Sequence, residues 1–90
     1  MRACLICIDK PGALQLRLDN RPAHVEHLKS SGVVELAGPF LDAEGQMCGS
    51  MIVLEVPDLD AARAWAAADP YAKAGLFESV AIREWKKVIG

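Results

Sequence analysis

Long apolar runs are missing from this chain, and their absence limits where the protein can reside. A membrane-spanning helix needs about 20 consecutive apolar residues, and no stretch of the sequence approaches that length. The apolar run near the amino terminus ends at Asp9, before it reaches the length that a secretory signal requires. We therefore expect a cytoplasmic protein with no membrane segment.

Positive charge is also scarce. Ten Lys and Arg residues are outnumbered by twelve Asp and Glu residues, which gives a net charge of −2, and no basic cluster extends beyond Lys86 and Lys87. Proteins that bind nucleic acid neutralise phosphates with clustered Lys and Arg side chains. The composition thus argues against a nucleic-acid partner.

Cysteine is rare and shows no disulfide pattern. The chain has three cysteines, an odd number, which fits a reducing compartment. Cys4 and Cys7 form a C-x-x-C motif, but they lie in a predicted strand, where positions three apart point to opposite faces of the sheet. We expect these two residues to be buried structural cysteines and not metal ligands.

Motifs for cofactors and metals are absent as well. There is no phosphate-binding glycine motif, so nothing supports a nucleotide cofactor. His24 and His27 are spaced i, i+3, but a catalytic zinc needs at least three protein ligands and no third ligand accompanies them. We predict no cofactor, no metal and a solvent-exposed His27. Ser50 lacks the G-x-S-x-G context of a hydrolase nucleophile, so a hydrogen-bonding role is favoured.

The elements that are present predict an α+β fold in a single domain, residues 1–90. Short apolar runs that end at Gly, Pro or Asp predict strands at 2–9, 33–41, 49–56 and 77–85. Helical periodicity and capping residues predict helices at 12–18, 21–31 and 58–68. The order β-α-β-β-α-β is that of the ferredoxin-like plait, in which a four-stranded antiparallel sheet carries its helices on one face. Gly38-Pro39 places the second strand at an edge or a bulge.

Pro22 divides the first helical region. Proline inside a helix removes a hydrogen bond and clashes with the preceding turn, whereas the first turn tolerates it. We therefore predict a short helix at 12–18 and a restart near Arg21, ending before Gly32. His24 would then lie in a first turn, where the helix dipole favours the neutral imidazole. An apolar stripe predicts the inward face: Leu14, Leu18, Val25 and Leu28.

The amount of apolar material predicts self-association. Hydrophobic residues make up 52% of a chain of 90 residues, and so small a domain has much surface for its volume. The helices of the plait cover one face of the sheet, yet strands one, three and four carry apolar residues on both faces. Two sheets that pair face to face would bury them. We expect a homodimer built as a dimeric α/β barrel, or a higher homo-oligomer.

One imidazole and one carboxylate stand beside prolines at predicted helix ends, and general acid–base chemistry requires no more than such a pair. His24 is the candidate base; its alternative is a hydrogen bond within the helix packing. Asp69, which precedes Pro70, would orient the imidazole and raise its basicity; its alternative is a cap at the turn. Because the two helices of the plait run in similar directions, the two side chains can be neighbours.

Three more polar residues are candidates for substrate binding. Arg21 suits a bidentate contact with a carboxylate, and its alternative is a surface salt bridge. Tyr71, the only tyrosine, offers a phenolic donor, and Ser50 offers a hydroxyl. Gly38-Pro39 would form a wall of the pocket or simply a bulge.

Taken together, several short motifs resemble the YciI-like family, the YCII-related domain. They follow one another along essentially the whole chain: RPAH at 21–24, AGPF at 37–40, Gly49-Ser50, AWAAADPYAKAGLFESV at 64–80 and the basic end at 85–87. The resemblance implies a ferredoxin-like fold, a dimer in the manner of dimeric α/β barrels and a His–Asp pair, which by motif position is His24 and Asp69.

The same resemblance implies a class of chemistry. Looser kinship with muconolactone isomerase-like barrels, and dehydrochlorinase activity in part of the family, imply acid–base isomerase or lyase reactions. One branch of the family carries Asp-Gly-Pro-Phe where this chain has Ala37, so any role of that aspartate is lost here. The loop at 42–48 is short, which leaves less chain to close over a substrate.

The leading hypothesis is a small enzyme that acts on a small aromatic or lactone-like acid. His24 would move a proton, Asp69 would orient it, and the remaining candidates would bind the substrate. The alternative is a non-catalytic dimer that binds a small ligand or assists another protein, because the fold hosts many functions. Recruitment of a protein partner through strand 33–41 is a third hypothesis, which requires an unpaired edge.

Overall fold

The computed structural model describes all 90 residues and has the predicted ferredoxin-like order of elements. The strands are β1 (Arg2–Asp9), β2 (Val34–Leu41), β3 (Met47–Glu55) and β4 (Phe77–Trp85). The helices are α1 (Leu14–Ser30), α2 (Leu59–Ala68) and α3 (Pro70–Lys73). The sheet has the order β2-β3-β1-β4 and every neighbouring pair is antiparallel. The α+β prediction is confirmed, with β3 beginning two residues earlier than expected.

Helix α1 corrects the prediction of two pieces, because it runs unbroken with Pro22 in its interior. A proline inside a helix costs about 3 kcal/mol, and the packing of both halves of α1 against the rest of the domain outweighs that local cost. The helix ends where expected: Gly32 follows the cap residue Ser31 with a φ of 72°, a conformation that favours glycine. His24 therefore lies in the middle of α1, and the expectation that a helix start keeps it neutral is wrong.

The inward face of α1 also differs from the predicted stripe. Its two buried residues are Arg17 and His24, whereas Leu18 is 43% exposed. Arg17 and His24 are seven residues apart, which is nearly two full turns, so they lie one above the other on one face. Polar side chains of this kind are buried only when they are paired. The buried face of α1 thus carries chemistry and not only packing.

The core lies between the sheet and the helices. It is formed by alternate residues of β1 and β3 and by small and aromatic residues of α2: Ala3, Leu5, Cys7, Ile52, Leu54, Val56, Ala62 and Trp65. Alternation follows from the strand period of two, which sends every second side chain to the helices. Burial of each large apolar side chain contributes roughly 1.5–3 kcal/mol.

The other face of the sheet carries apolar side chains that no helix covers. On β1 this face presents Cys4, Ile6 and Ile8, whose Cα partners on β3 include Val53 and Met51. Ile8 is 42% exposed and Leu36 of β2 is 46% exposed. The prediction that β1 is buried on both sides therefore holds in the single chain only for the side that faces the helices.

Strand β2 is an edge strand, as Gly38-Pro39 predicted, because it pairs with β3 alone. Its register shifts near its two ends, between Val34 and Leu36 and between Phe40 and Leu41, so the bulges flank the glycine–proline pair. Pro39 lies opposite Ser50 of β3. This pairing brings Gly38 and Pro39 to the wall of the cavity described below.

The three cysteines are free thiols in three different settings. Cys7 is buried on the helix side of β1, while Cys4 is half-buried on the opposite face and Cys48 is half-buried, its thiol directed at the carbonyl of Phe40 at 3.6 Å. The expectation of two buried cysteines in the C-x-x-C motif is therefore correct for Cys7 and wrong for Cys4, which is half-buried. None of the three helices has the length and hydropathy needed to cross a bilayer.

Candidate functional site

A cavity of about 180 Å³ opens between α1 and the β2–β3 edge of the sheet, with α3 at one end. Its lining combines polar groups from three elements with an apolar wall: Arg17, Arg21, His24, Val25, Leu28, Ala37, Gly38, Pro39, Met47, Ser50, Ile52 and Tyr71. The four predicted residues His24, Arg21, Ser50 and Tyr71 all line it. Asp69 stands directly behind His24.

His24 and Asp69 are joined by a hydrogen bond of 2.7 Å between Nδ1 and Oδ1, and both side chains are buried. An ionised carboxylate accepts hydrogen bonds only, so the proton of a neutral imidazole lies on Nδ1 and Nε2 carries the free lone pair. The hydrogen bond of His24 is at Nδ1, so Nε2 has no protein partner. Every fully buried side-chain nitrogen in the structure does have a partner. Nε2 therefore lies at the accessible surface, on the side of the cavity that His24 lines.

Asp69 is fixed by the backbone as well as by His24. It follows α2 with an extended backbone, which the next residue, Pro70, favours. Its Oδ1 accepts the N–H of Tyr71 at 3.0 Å and so caps the start of α3. The two roles that the sequence left open, a turn cap and a partner of an imidazole, thus belong to the same oxygen atom.

Tyr71 lies flat against the imidazole. The ring centroids of His24 and Tyr71 are 3.9 Å apart and the planes differ by 15°. Burial raises the pKa of the Tyr71 phenol above its usual value, and the nearby charges of Arg17 and Arg21 oppose that rise. Because the phenol keeps its proton at neutral pH, it can donate a hydrogen bond.

Arg17 is the main site residue that sequence reasoning missed. Its Nε and Nη2 bind the two carboxylate oxygens of Asp9 at 2.7 and 3.0 Å, and Nη2 also donates to Ser50 Oγ at 2.9 Å. Burial by itself lowers the pKa of Arg17, but the hydrogen bonds and charge of Asp9 raise it by more. The one signal in the sequence was its spacing of seven from His24, which places both on one face of a helix.

Arg21 supplies charge at the rim of the cavity. It is exposed, it lines the cavity, and none of the ion pairs in the structure includes it. The surface salt bridge that was its alternative is therefore not formed. Its guanidinium is free to bind an anion, whereas the charge of Arg17 is already neutralised by Asp9.

Ser50 reaches the floor of the cavity because of the glycine before it. A Cβ atom at Gly49 would lie 2.5 Å from the carbonyl oxygen of Cys7, so only glycine allows the two strands to approach this closely. Ser50 is buried and its hydroxyl accepts a hydrogen bond from Arg17. The hydroxyl proton is left to donate elsewhere, as expected of a hydrogen-bonding residue.

His27 is not the solvent-exposed residue that was predicted. It is half-buried, its Nε2 lies 3.2 Å from the carbonyl oxygen of Trp65, and its ring centroid is 4.5 Å from that of Trp65. The Trp65 indole in turn donates to Ser31 Oγ at 2.9 Å. These contacts join α1 to α2 and lie outside the cavity, so His27 has a packing role. No group of three or more His, Cys, Asp or Glu side chains is arranged to hold a metal ion.

Comparison with known proteins gives relatives over nearly the full length. The proteins named YciI of Escherichia coli O6:H1 and Shigella flexneri are each 38% identical over 89 residues, an overlap that covers 89% of this chain and 91% of the relative. An uncharacterized protein of Haemophilus influenzae is 35% identical with the same coverage.

Among solved structures, 5-chloro-2-hydroxyhydroquinone dehydrochlorinase from Burkholderia phenoliruptrix AC1100, in complex with 2,5-dihydroxybenzoquinone, superposes with a TM-score of 0.89. It is 33% identical, and the superposition covers 96% of this chain and 94% of that chain. An antibiotic biosynthesis monooxygenase superposes with a TM-score of 0.56 at 15% identity, which shows a shared fold and nothing more. The model of the YCII-related domain matches residues 1–86, and with this match and relatives at 38% identity the chain belongs to the YCII-related domain family.

Proposed function

We propose that this protein is an enzyme that catalyses acid–base elimination or isomerisation of a small, one-ring acid, with His24 as the group that moves the proton. The observation that carries the proposal is the imidazole itself, whose Nδ1 is bound to the buried Asp69 and whose Nε2 lies at the surface of the cavity. An imidazole that is held by a buried carboxylate at one nitrogen and is free at the other, beside a cavity, has the arrangement of a general base.

The chemistry follows from the two ring nitrogens. Nε2 takes a proton from a C–H or O–H group of the substrate, and the electron pair left behind forms a new double bond. In an elimination the leaving group departs with the electrons of its own bond; in an isomerisation the imidazolium returns the proton to another carbon. The imidazolium formed in either case is stabilised by the Asp69 carboxylate, which stays ionised.

The size and charge of the cavity define the substrate class. A cavity of about 150 Å³ holds benzene, so a cavity of about 180 Å³ suits a molecule with one ring. The lining contains no carboxylate, and Arg21 offers a guanidinium without a partner. A small anion would place its acidic group on Arg21 and its ring against the apolar wall of Val25, Ala37 and Met47, with Ser50 and Tyr71 as hydrogen-bonding groups.

The comparison supports the same chemistry. The dehydrochlorinase with a TM-score of 0.89 acts on a small chlorinated ring compound and was solved with a quinone bound. Loss of hydrogen chloride from such a ring balances with one group that moves protons: the base takes a hydroxyl proton and returns a proton to the carbon that carries chlorine, and after it takes a second hydroxyl proton chloride leaves with the electrons of the C–Cl bond, which gives the quinone. Residue 37 is an alanine in the apolar wall and the lining contains no carboxylate, so His24 is the base in this proposal.

We also propose that the active form is a homodimer in which two sheets meet through their uncovered faces. The face of β1 that points away from the helices carries Ile6 and Ile8, next to Met51 of β3, and none of these three is fully buried in the single chain. A second copy with the same face would bury these side chains, which is the usual fate of an exposed apolar patch. The cavity lies on the opposite, helical side of the sheet, so dimerisation leaves it open.

The three free thiols fit a reducing compartment, and we propose a cytoplasmic location on that basis. Two of these thiols are half-buried and one is buried. None of them needs a partner for the fold to form.

The test uses two compounds. The purified protein is incubated without oxygen with 5-chloro-2-hydroxyhydroquinone while chloride release is measured, and binding of 2,5-dihydroxybenzoquinone is measured by calorimetry. Turnover should fall at least about 100-fold in His24→Asn, because general bases contribute about 10²–10⁴-fold. It should fall by a similar factor in Asp69→Asn, which removes the carboxylate that orients the imidazole. His27→Asn is the matched control and should keep its rate. Equal turnover by His24→Asn in a folded protein would refute the proposal, and binding without turnover in the unaltered protein would favour the non-catalytic alternative.

A further inference from the structure

The Tyr71 ring contacts two side chains of the same helix. Besides the stacked imidazole of His24, the guanidinium carbon of Arg17 lies 4.6 Å from the ring centroid. Arg17 and His24 are seven residues apart, or about 10 Å along the helix axis. That spacing leaves room for an aromatic ring between the two side chains. Phe77 packs edge-on against the Tyr71 ring at 6.0 Å and restricts it from a further direction.

Arg17 is held more firmly than most arginines. Three hydrogen bonds to Asp9 and Ser50 fix its guanidinium, and its side chain is 2% exposed. A planar guanidinium that is fixed in this way forms a rigid support for an aromatic face. The positions of Asp9 at the end of β1 and Ser50 on β3 therefore determine where the Tyr71 ring can lie.

The imidazole needs such a support. A single hydrogen bond at Nδ1 does not prevent the His24 ring from turning about the bond that joins it to its side chain, and such a turn moves the Nδ1 proton out of line with Asp69 Oδ1. A ring stacked on the imidazole face prevents that tilt, because the two surfaces are already in contact. The hydrogen bond of Nδ1 to Asp69 and the stacking of Tyr71 on the ring face together fix the direction of Nε2.

We propose that Arg17 is a positioning residue, which acts through Tyr71 to keep the His24 imidazole in the plane that directs Nε2 into the cavity. The consequence for turnover rests on the proposed function. The consequence for the orientation of His24 does not, since it concerns the free protein and needs no substrate.

The first experiment measures the tautomers of His24 by ¹⁵N NMR of the imidazole nitrogens in the ligand-free protein. Arg17→Met is combined with Asp9→Asn, so that no carboxylate is left without a partner. We expect the ratio of the Nδ1–H form to the Nε2–H form of His24 to fall about fivefold or more in this variant, because a ring that turns freely loses part of the hydrogen bond to Asp69 that selects the Nδ1–H form. The chain has only one other histidine, His27, whose signals should not change and which reports that the fold is intact.

The second experiment asks whether Arg17 acts through Tyr71. Tyr71→Leu should lower the His24 tautomer ratio at least as much, and adding Arg17→Met with Asp9→Asn to it should lower the ratio no further. Arg17→Lys keeps a cation near the ring and should restore part of the effect. With 5-chloro-2-hydroxyhydroquinone as substrate, the kcat of the Arg17→Met, Asp9→Asn variant should fall about tenfold relative to the unaltered protein, while its KM changes by less than about twofold.

Two results would overturn the proposal. One is an unchanged tautomer ratio of His24 in a folded variant without Arg17. The other is an effect of Arg17 that adds in full to that of Tyr71→Leu, which would mean that it does not act through the ring. If the double substitution at Arg17 and Asp9 prevents folding, Arg17→Lys is used in its place: it lacks the planar guanidinium and should still lower the His24 tautomer ratio about twofold, and an unchanged ratio would again overturn the proposal. A protein without turnover would refute the proposed function while the NMR result still decides the role of Arg17.

Discussion

The Cys7 thiol allows the packing behind the site to be tested by alkaline pH. This side chain is 2% exposed, on the face of β1 that meets the helices. Burial raises its pKa from 9.0 to about 12, and the negative charge of Asp69 acts in the same direction. A group that binds its proton more tightly in the folded state stabilises that state below the unfolded pKa. This contribution is lost as the pH rises from about 9 toward about 12.

The expected loss can be worked out from the two pKa values. At pH 7 the thiol is protonated in both states and contributes nothing to the pH dependence. At pH 9 half of the unfolded chains have lost the proton, which lowers the free energy of unfolding by less than about 1 kcal/mol. At pH 10 the loss is roughly 1 kcal/mol, and each further unit of pH adds at most about 1.36 kcal/mol, the limit that linkage sets for one proton.

Urea unfolding at pH 7, 9 and 10, followed by circular dichroism, measures this loss. Cys7→Ala and Cys7→Val replace the thiol by a smaller and a larger side chain that does not titrate. Both variants should therefore lack the part of the alkaline loss of stability that comes from Cys7. The stability of each variant relative to the unaltered protein should rise by roughly 1 kcal/mol between pH 7 and pH 10. Other groups titrate equally in all three proteins and cancel in the difference. A difference that stays constant with pH would refute the assignment of a strongly raised pKa to Cys7.

Three further predictions concern the buried Arg17–Asp9 ion pair, the uncovered face of the sheet and the close contact of β1 with β3 at Gly49. Asp9→Asn leaves Arg17 as a buried cation without a counter-ion and should lower the free energy of unfolding, measured in urea, by about 3–5 kcal/mol. Adding Arg17→Met should recover much of that loss. Losses from the two substitutions that simply add would contradict the pairing. Ile6→Glu places a charge on the uncovered sheet face and should convert a dimer to a folded monomer in light scattering; a monomeric unaltered protein would disprove the interface. Gly49→Ala should cost at least about 1–3 kcal/mol in thermal unfolding because its Cβ would meet the backbone of β1 at 2.5 Å, whereas Gly38→Ala, with open space around its Cβ, should change stability little.

The architecture could be predicted because most element boundaries are encoded locally. Pro57-Asp58 before α2 and Asp69-Pro70 after it mark a helix by capping chemistry alone. The alternation of Met51 to Val56 marks a strand by its period. Such signals depend on residues a few positions apart, so no knowledge of distant contacts was needed.

The parts that could not be predicted depend on residues that are distant in the sequence or on sums over many contacts. The local cost of Pro22 was judged correctly, but the packing that keeps α1 continuous is spread over the whole helix. The partners of Arg17 lie on two strands, at Asp9 and Ser50, and no pattern within α1 reveals them. His27 was placed in solvent because its partner, the carbonyl of Trp65, is on another helix.

The site and the fold share atoms, and this explains why sequence reasoning found the pair more easily than its surroundings. The segment Asp69-Pro70-Tyr71 ends one helix and starts the next, which requires a capping oxygen and a proline whatever the protein does. The same three residues supply the oxygen that holds the edge of the His24 imidazole and the ring that holds its face. A turn signal in the sequence therefore pointed to the site. Arg17 serves no turn and caps no helix, so its contribution became visible only when the strands that hold it were in place.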